Sequence, residues 1–328
     1  MNTINLHQAL AGLPMHLVLF ALLLLPVQSS ATKIEFVNFL IPSGEGGGWD
    51  TTAREAGDAL LASNLIKKVN YENLVGAGGG RAIIDIVEHP DRHTDTLMVQ
   101  STPLLLRRLT GTIKYGFRDI TPVSIMITEY QAVAVPFDSK YQSINELVDS
   151  IRMSPAKHPI IGGSSYGSLD HISIELIAKA ADLPSGSIRY IASDGGGEAM
   201  HLLEQGYGTA LVSGIGEMLD AYQAGKIRIL GVTSPARLPE LPEVKTFIEQ
   251  GIDVEFANWR GFFASPTISR KKLVHWRWML EQLNDTETWH DVRRQHFWSE
   301  KFLHGDEMIK FLEQQEKQLK IALDQLKL

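Results

Sequence analysis

Ile34-Glu35-Phe36-Val37-Asn38-Phe39-Leu40, continued by Ile41-Pro42-Ser43-Gly44-Glu45-Gly46-Gly47-Gly48-Trp49-Asp50, is the stretch on which the fold turns. Ile34–Leu40 reads as a buried strand, Pro42–Gly48 as a glycine-rich loop, and about Thr51 to Ser63 as a helix. The unit then recurs. Val69–Asn73 is a second strand, followed by the loop Gly76–Gly80 and a helix over Ala82–Glu88. Leu97–Gln100 is a third strand, and it ends at Ser101-Thr102 with Pro103 placed to open a helix. This order predicts a parallel sheet covered by helices.

The pattern restarts after an extended segment at Gln131–Val135. A helix over Ser143–Arg152 precedes Pro159–Ile161, the loop Gly162–Ser168 and a helix over Asp170–Ala181. Ile188–Ile191 leads into Ser193–Gly197 and a helix over Glu198–Gln205. Thr209–Val212 leads into Ser213–Gly216 and a helix over Glu217–Ala224, and Ile227–Val232 is a further strand. Val254–Ala257 runs towards Trp259–Ala264 as a return crossing. In the tail, Ile309, Leu312, Leu319 and Leu323 recur at roughly helical spacing, which predicts packing against the core. Two crossings predict two lobes with a cleft between them: 32–134 plus 258–328, and 135–257.

Composition narrows the function classes. The 328 residues carry 31 Lys+Arg against 38 Asp+Glu, a formal charge of −7. That balance gives no basis for a nucleic-acid partner. With Cys at 0, disulfides, thiolate metal sites and cysteine nucleophiles are excluded. Leu13–Leu25 is an apolar run interrupted by Pro14 and His16, with Ser29 and Ala31 as small residues beyond it. It is shorter than the roughly 20 residues of a membrane span, so residues 1–31 are expected to be a signal peptide cleaved after Ala31, with an uncleaved anchor as the alternative, and the mature chain a soluble periplasmic monomer. The absence of Lys and Arg from Met1–Gly12 departs from the usual signal.

Chemistry is expected at the strand-to-helix loops. Five of them combine glycine and small hydroxyl residues: Gly46-Gly47-Gly48, Gly78-Gly79-Gly80, Ser101-Thr102, Gly162 to Ser168, and Ser193 to Gly197. A helix N-terminus offers unpaired N–H groups and about half a positive charge, and ligands of open α/β sheets sit beyond the strands' carboxyl ends. A cleft for a small anion follows. No loop reads G-x-x-x-x-G-K-[ST], and Trp49 stands where a dinucleotide loop needs its last glycine. Ser168, Asp170 and His171 are too close along one helical turn to form a catalytic triad. Pro90 interrupts the helical spacing of His89 and His93, which argues against a metal site. Asp50 is expected to cap the first helix. Neither a metal nor a cofactor is expected, and the chain reads as a non-enzyme; a phosphate- or nucleotide-using enzyme is the weaker alternative.

In combination these segments resemble the substrate-binding proteins of tripartite tricarboxylate transporters, the Bug-type periplasmic receptors. The matching parts are Ile41 to Asp50, Val75-Gly76-Ala77-Gly78-Gly79, Gly163 to Ser168 with His171, and Arg189 to Glu198. Ile227-Arg228-Ile229-Leu230, Arg237-Leu238-Pro239 and Trp259-Arg260-Gly261-Phe262 follow in order. The resemblance implies an α/β, two-lobed periplasmic-binding-protein fold of type II-like form, each lobe a helix-covered, mainly parallel sheet. It further implies capture of a di- or tricarboxylate, citrate-like first, for a permease of one large and one small membrane subunit. A receptor presenting its ligand to a sensor kinase is the alternative.

Carried over residue by residue, Ser43, Gly46, Gly47, Gly48, Trp49, Ala77, Gly78 and Gly79, with Ser101, hold one carboxylate, partly through water. Gly167 and Ser168, with Ser164 or Ser165, hold the other. Ser193, Asp194, Gly195 and Gly196 stand where many members carry an aromatic residue and a lysine, and with Arg260 they look like the citrate-type subgroup. Asp194 would repel an anion, so it points away, binds a hydroxyl, or meets a protonated or cation-paired ligand. Arg260 is either the counter-charge for a third carboxylate or a structural arginine at the hinge.

Overall fold

The opening strand β1 (Ile34–Ile41) is buried at Val37, Phe39, Leu40 and Ile41 and leads through the glycine loop into helix α1 (Gly48–Ala62). These elements belong to a computed structural model that describes residues 34–184 and 186–326; the expected signal peptide lies outside the described residues. β2 (Ile66–Asn73), α2 (Gly80–Glu88), β3 (Thr96–Ser101) and α3 (Pro103–Leu109) continue the alternation, with a 3-10 turn at Ala77–Gly79 ahead of α2. β1 pairs in parallel with both β2 and β3, as the alternating order predicts. All six residues of β3 are buried, which fits a strand covered on both faces.

The sixteen-residue strand β4 (Thr121–Pro136) joins two sheets. Beyond it lie α4 (Ile144–Met153), β5 (Ile160–Gly162), α5 (Leu169–Ala180), β6 (Tyr190–Ala192), α6 (Gly196–Glu204), β7 (Ala210–Gly214), α7 (Leu219–Gln223) and β8 (Ile227–Val232). β9 (Ala257–Ala264) returns, followed by α8 (Arg270–Asn284), α9 (Glu287–His296), β10 (Ser299–His304) and α10 (Gly305–Leu326).

Through Tyr130, β4 lies antiparallel to β9, with Tyr130 opposite Ala257 and Thr128 opposite Trp259. From Gln131 onward it is antiparallel to β7 and β8, with Gln131 opposite Gly214. One sheet therefore reads β2-β1-β3-β9-β4-β10 and the other β8-β4-β7-β5-β6. The pairs β1–β2, β1–β3, β5–β6 and β5–β7 are parallel, and the crossing strands β4 and β9 add the antiparallel pairs. The fold is two-lobed α/β, with β4 shared.

Each sheet is packed on both faces. In the first, Phe39, Leu60, Phe262, Trp276 and Trp289 form one core and Leu40, Ile83, Leu105, Trp259 and Leu312 the other. In the second, Val133, Leu147, Ile177 and Phe247 lie opposite Ala132, Leu203, Leu211 and Met218. α10 buries Met308, Leu312, Leu319, Leu323 and Leu326, so its stripe packs against the core, with Met308 more deeply buried than Ile309.

Candidate ligand-binding cleft

The carboxyl ends of β1, β3 and β5 open onto one cavity of about 280 Å³. The first sheet's loops supply Ser43, Gly47, Gly48, Trp49, Ala77, Gly78, Gly79 and Ser101 to its wall. The second sheet's loops supply Ser164, Ser165, Ser168, Ser193, Asp194 and Gly195, and Arg260 enters from β9. Three residues expected at the site do not line this cavity. Gly46 borders a second cavity and gives its N–H to Asp50 at 2.9 Å. Gly167 gives its N–H to His171 Nδ1 at 3.0 Å, and Gly196 is packed beneath Glu217.

The N-terminus of α1 is organised differently from expectation. Gly47 is its N-cap, and Asp50 sits inside the first turn. The Asp50 carboxylate reaches back to Gly46 N–H and accepts from Arg54 Nε at 2.9 Å and Asn73 Nδ2 at 2.9 Å. Burial pushes its pKa up, but the bonds from Arg54, Asn73 and Gly46 outweigh that and hold it below its ordinary value. Asp50 thus braces the glycine loop against β2 and does not line the cavity. The Gly48 N–H at the helix end is taken by Glu217 Oε1, 3.1 Å away on the second sheet's side.

The second lobe also answers its own helix ends. Ser168 is the N-cap of α5 without a side-chain capping bond; Ser164 Oγ instead accepts the Asp170 N–H at 3.1 Å. Asp170 itself is 3% exposed, in the first turn, and lines the cavity. Burial raises its pKa well above the ordinary carboxylate range; Glu217 adds to the shift, and a hydrogen bond from Ser164 offsets part of it. At the α6 end, Glu198 accepts the Asp194 N–H at 2.7 Å, and Ser193 Oγ donates to the Gly162 carbonyl at 2.8 Å. Donors expected to face a ligand are therefore partly occupied by the chain's own acids.

Two arginines reach the cavity, and they differ. Arg260 gives Nη2 to Glu129 Oε2 at 2.5 Å, and both residues are buried. Burial raises the Glu129 pKa, Arg260 opposes the shift, and Glu217 reinforces it. Arg260 lines the cavity with its charge already paired, as a structural arginine at the strand crossing would be. Gly48 makes room for it, since an added Cβ would lie 2.2 Å from Nη2. Arg107, near the end of α3, is 7% exposed, and its side chain makes no hydrogen bond or ion pair among the described residues. Burial alone lowers its pKa. The Gly78 backbone, at φ +56, lies against its guanidinium; a Cβ there would stand 2.2 Å from Nη2. Ser43 Oγ and both amide atoms of Gln131 are likewise buried, unpartnered and in the cavity wall.

A family model described as the tripartite tricarboxylate transporter family receptor matches residues 52–287. The chain belongs to that family. A protein encoded in the tcbD-tcbE intergenic region of Pseudomonas sp. (strain P51) is 28% identical over 234 residues, which is 70% of this chain and 67% of that one. Among solved structures, R. palustris Rpa4515 with adipate superposes with a TM-score of 0.81 at 20% identity, covering 89% of this chain and 97% of that one. MatC (Rpa3494) from Rhodopseudomonas palustris with bound malate gives 0.76 at 18%, covering 88% and 99%. At those identities the likeness shows the fold. The tripartite tricarboxylate receptors are solute-binding proteins and not enzymes, so the phosphate-using enzyme is set aside.

For a receptor of this family, sequence reasoning missed Arg107, Gln131, Asp170, Glu217 and Asn258, all in the cavity wall. A signal existed for two of them. Glu129 and Gln131 in β4, and Asn258 and Arg260 in β9, are polar pairs at i, i+2 inside buried apolar strands. Period-two polar pairs in crossing strands mark a face turned to something other than core. Asn258 Oδ1 accepts the Thr102 N–H at 3.3 Å and so holds the start of α3, the helix that carries Arg107.

Proposed function

We propose that this chain is an exported, periplasmic solute-binding receptor that captures a small organic acid between its lobes and delivers it to the large and small membrane subunits of a tripartite permease. The lobes are 32–134 plus 258–328 and 135–257, hinged on β4 and β9. The sheet change at Tyr130–Gln131 and Ala257 supports that division.

One observation carries the reading. Arg107 Nε, Ser43 Oγ and the Gln131 amide are buried, without a hydrogen-bond partner among the described residues, and gathered on a single cavity. A buried polar atom without a partner costs about 1–3 kcal/mol, and a carboxylate entering the cavity would satisfy several at once. Glycine turns at Ala77–Gly79 let it approach the backbone closely. Closure of the lobes excludes water and strengthens those bonds.

Family membership puts di- and tricarboxylates first, citrate-like acids among them. Arg260 is committed to Glu129, which leaves Arg107 as the unpaired guanidinium in the wall among the described residues, so the charge balance favours an acid with fewer charges than citrate. Calorimetry of the full chain against succinate, malate, adipate and citrate tests the reading. One-to-one binding of at least one acid, without turnover, is expected; silence across a broad panel of carboxylates would refute it.

A further inference from the structure

One part of the cavity wall gathers more acid than base. Asp170 stands in the first turn of α5, 3% exposed, and lines the cavity. Charged groups reach it from three other elements: Glu217 from the turn after β7, Glu129 from β4 and Arg260 from β9. Arg260 is already paired with Glu129, so three carboxyls meet one guanidinium. Half-buried Glu217 is held by neutral donors, Ser213 Oγ and Gly48 N–H. On β6, Tyr190 gives its hydroxyl to the Ser164 carbonyl. On α5 itself, His171 Nδ1 accepts the Gly167 N–H, and its Nε2 lies 3.8 Å from Glu175. Asp194 also lines the wall, and Arg107 lies against Gly78. Asp170 is paired with Ser164, and among the described residues no basic side chain hydrogen-bonds to it. Carboxyls that share a site with too little counter-charge retain a proton. Asp170 is the more buried of the two that lack a basic partner, and burial with Glu217 beside it pushes its pKa well up.

We propose that Asp170 takes part in binding as a carboxylic acid, giving its O–H to a ligand carboxylate, and that the cleft holds its ligand only while that proton is in place. This rests on the carboxylate-receptor reading and adds a proton to it. An O–H donated to a carboxylate makes a short, charge-assisted bond. Without the proton, Asp170 offers an acceptor to an acceptor and a charge to a like charge. Linkage sets the sign. A bound anion favours the protonated carboxyl, so binding takes up a proton wherever the free side chain is ionised, and affinity falls as pH rises. For one proton the limiting slope is about tenfold per pH unit. Asp170 is thereby a specificity-determining residue, and loss of its proton is a release signal.

Calorimetry of the full chain with succinate, malate and adipate, from about pH 6 to about pH 9, tests this. Affinity for whichever acid binds is expected to fall at least tenfold across that range. Repeating the alkaline titrations in buffers of different ionisation enthalpy should show close to one proton taken up per acid bound. Asp170→Asn keeps a donor and carries no charge, so it should show neither the fall nor the uptake, and at about pH 9 it should bind at least tenfold more tightly than the parent. Circular dichroism verifies that the variant folds. An affinity that does not change with pH, or a fall that Asp170→Asn shares, would overturn the proton's role while leaving a carboxylate receptor. No binding by any of these acids at any pH would overturn both readings.

Discussion

Glu217 Oε1 accepts the Gly48 backbone N–H at 3.1 Å, so a side chain from the second sheet's side closes the N-terminus of a helix on the first. Its other oxygen takes the Ser213 hydroxyl at 2.5 Å. Both residues also border a second cavity of about 320 Å³, so the contact forms part of the partition between the two spaces. A carboxylate at a helix N-terminus gains from both the free N–H and the dipole. The place expected for a ligand's acid group is thus filled by the protein.

Replacing Glu217 with Ala removes that bridge. A charge-assisted bond of this kind, half-buried, contributes about 1–2 kcal/mol. Urea unfolding should show a loss of that size in the unliganded chain, and small-angle scattering a wider average separation of the lobes. Unchanged stability together with unchanged scattering would mean the contact does not hold the lobes in solution.

Arg107→Met should behave in the opposite sense. The native side chain is buried with Nε unpartnered among the described residues, and methionine fills similar space without an unsatisfied donor. The unliganded variant is expected to be as stable as the parent or up to about 3 kcal/mol more stable. A loss above about 1 kcal/mol would reveal a structural partner for the guanidinium.

Arg260 carries the contrary expectation. Arg260→Ala strands Glu129, which is buried and accepts the arginine at 2.5 Å. Breaking such a pair typically costs about 3–5 kcal/mol. Thermal unfolding should register that loss, and adding Glu129→Gln should recover part of it. A variant of parental stability that only distinguishes tricarboxylates from dicarboxylates would restore Arg260 to a recognition role.

The pH dependence follows from Asp170, whose pKa is raised by burial first and by Glu217 second. A raised carboxyl binds its proton more tightly in the fold than in the unfolded chain. Its favourable contribution is complete below the unfolded value and is lost as pH rises through the folded value. Stability of the unliganded chain should therefore fall on going from acidic towards neutral pH across that window, with Glu129 adding in the same direction. Asp170→Asn should flatten the slope; an identical slope in parent and variant would contradict the assignment.

How much of this could be read from sequence depended on range. β1, the glycine loop and α1 were legible because a buried run and a helix meet at residues whose conformational demands are local. The first half of β4, over Thr121–Tyr130, was not, since Pro122, Ser124 and Glu129 break the apolar run and its burial comes from β9 and β10. α8 and α9 are rich in charged residues and bury only short apolar stripes, Trp276, Met279, Leu280 and Leu283 in one and Trp289 with Val292 in the other. Glycine loops announced the cleft, but not the acids that occupy its helix ends. Glu217 meets Gly48 across 169 positions, and Arg107 looks like an ordinary cation in the last turn of a short helix until Gly78 is folded against it. Local patterns can show where a chain exposes its backbone; charge pairing across the cleft emerges only when the lobes meet.

Side-by-side calorimetric titration of the parent chain and Arg107→Gln with the same panel of small carboxylates tests the central claim most directly. The account predicts one-to-one binding by the parent and at least a hundredfold weaker binding by the folded variant. A parent that binds none of these acids, or a variant that binds them with undiminished affinity, would contradict it.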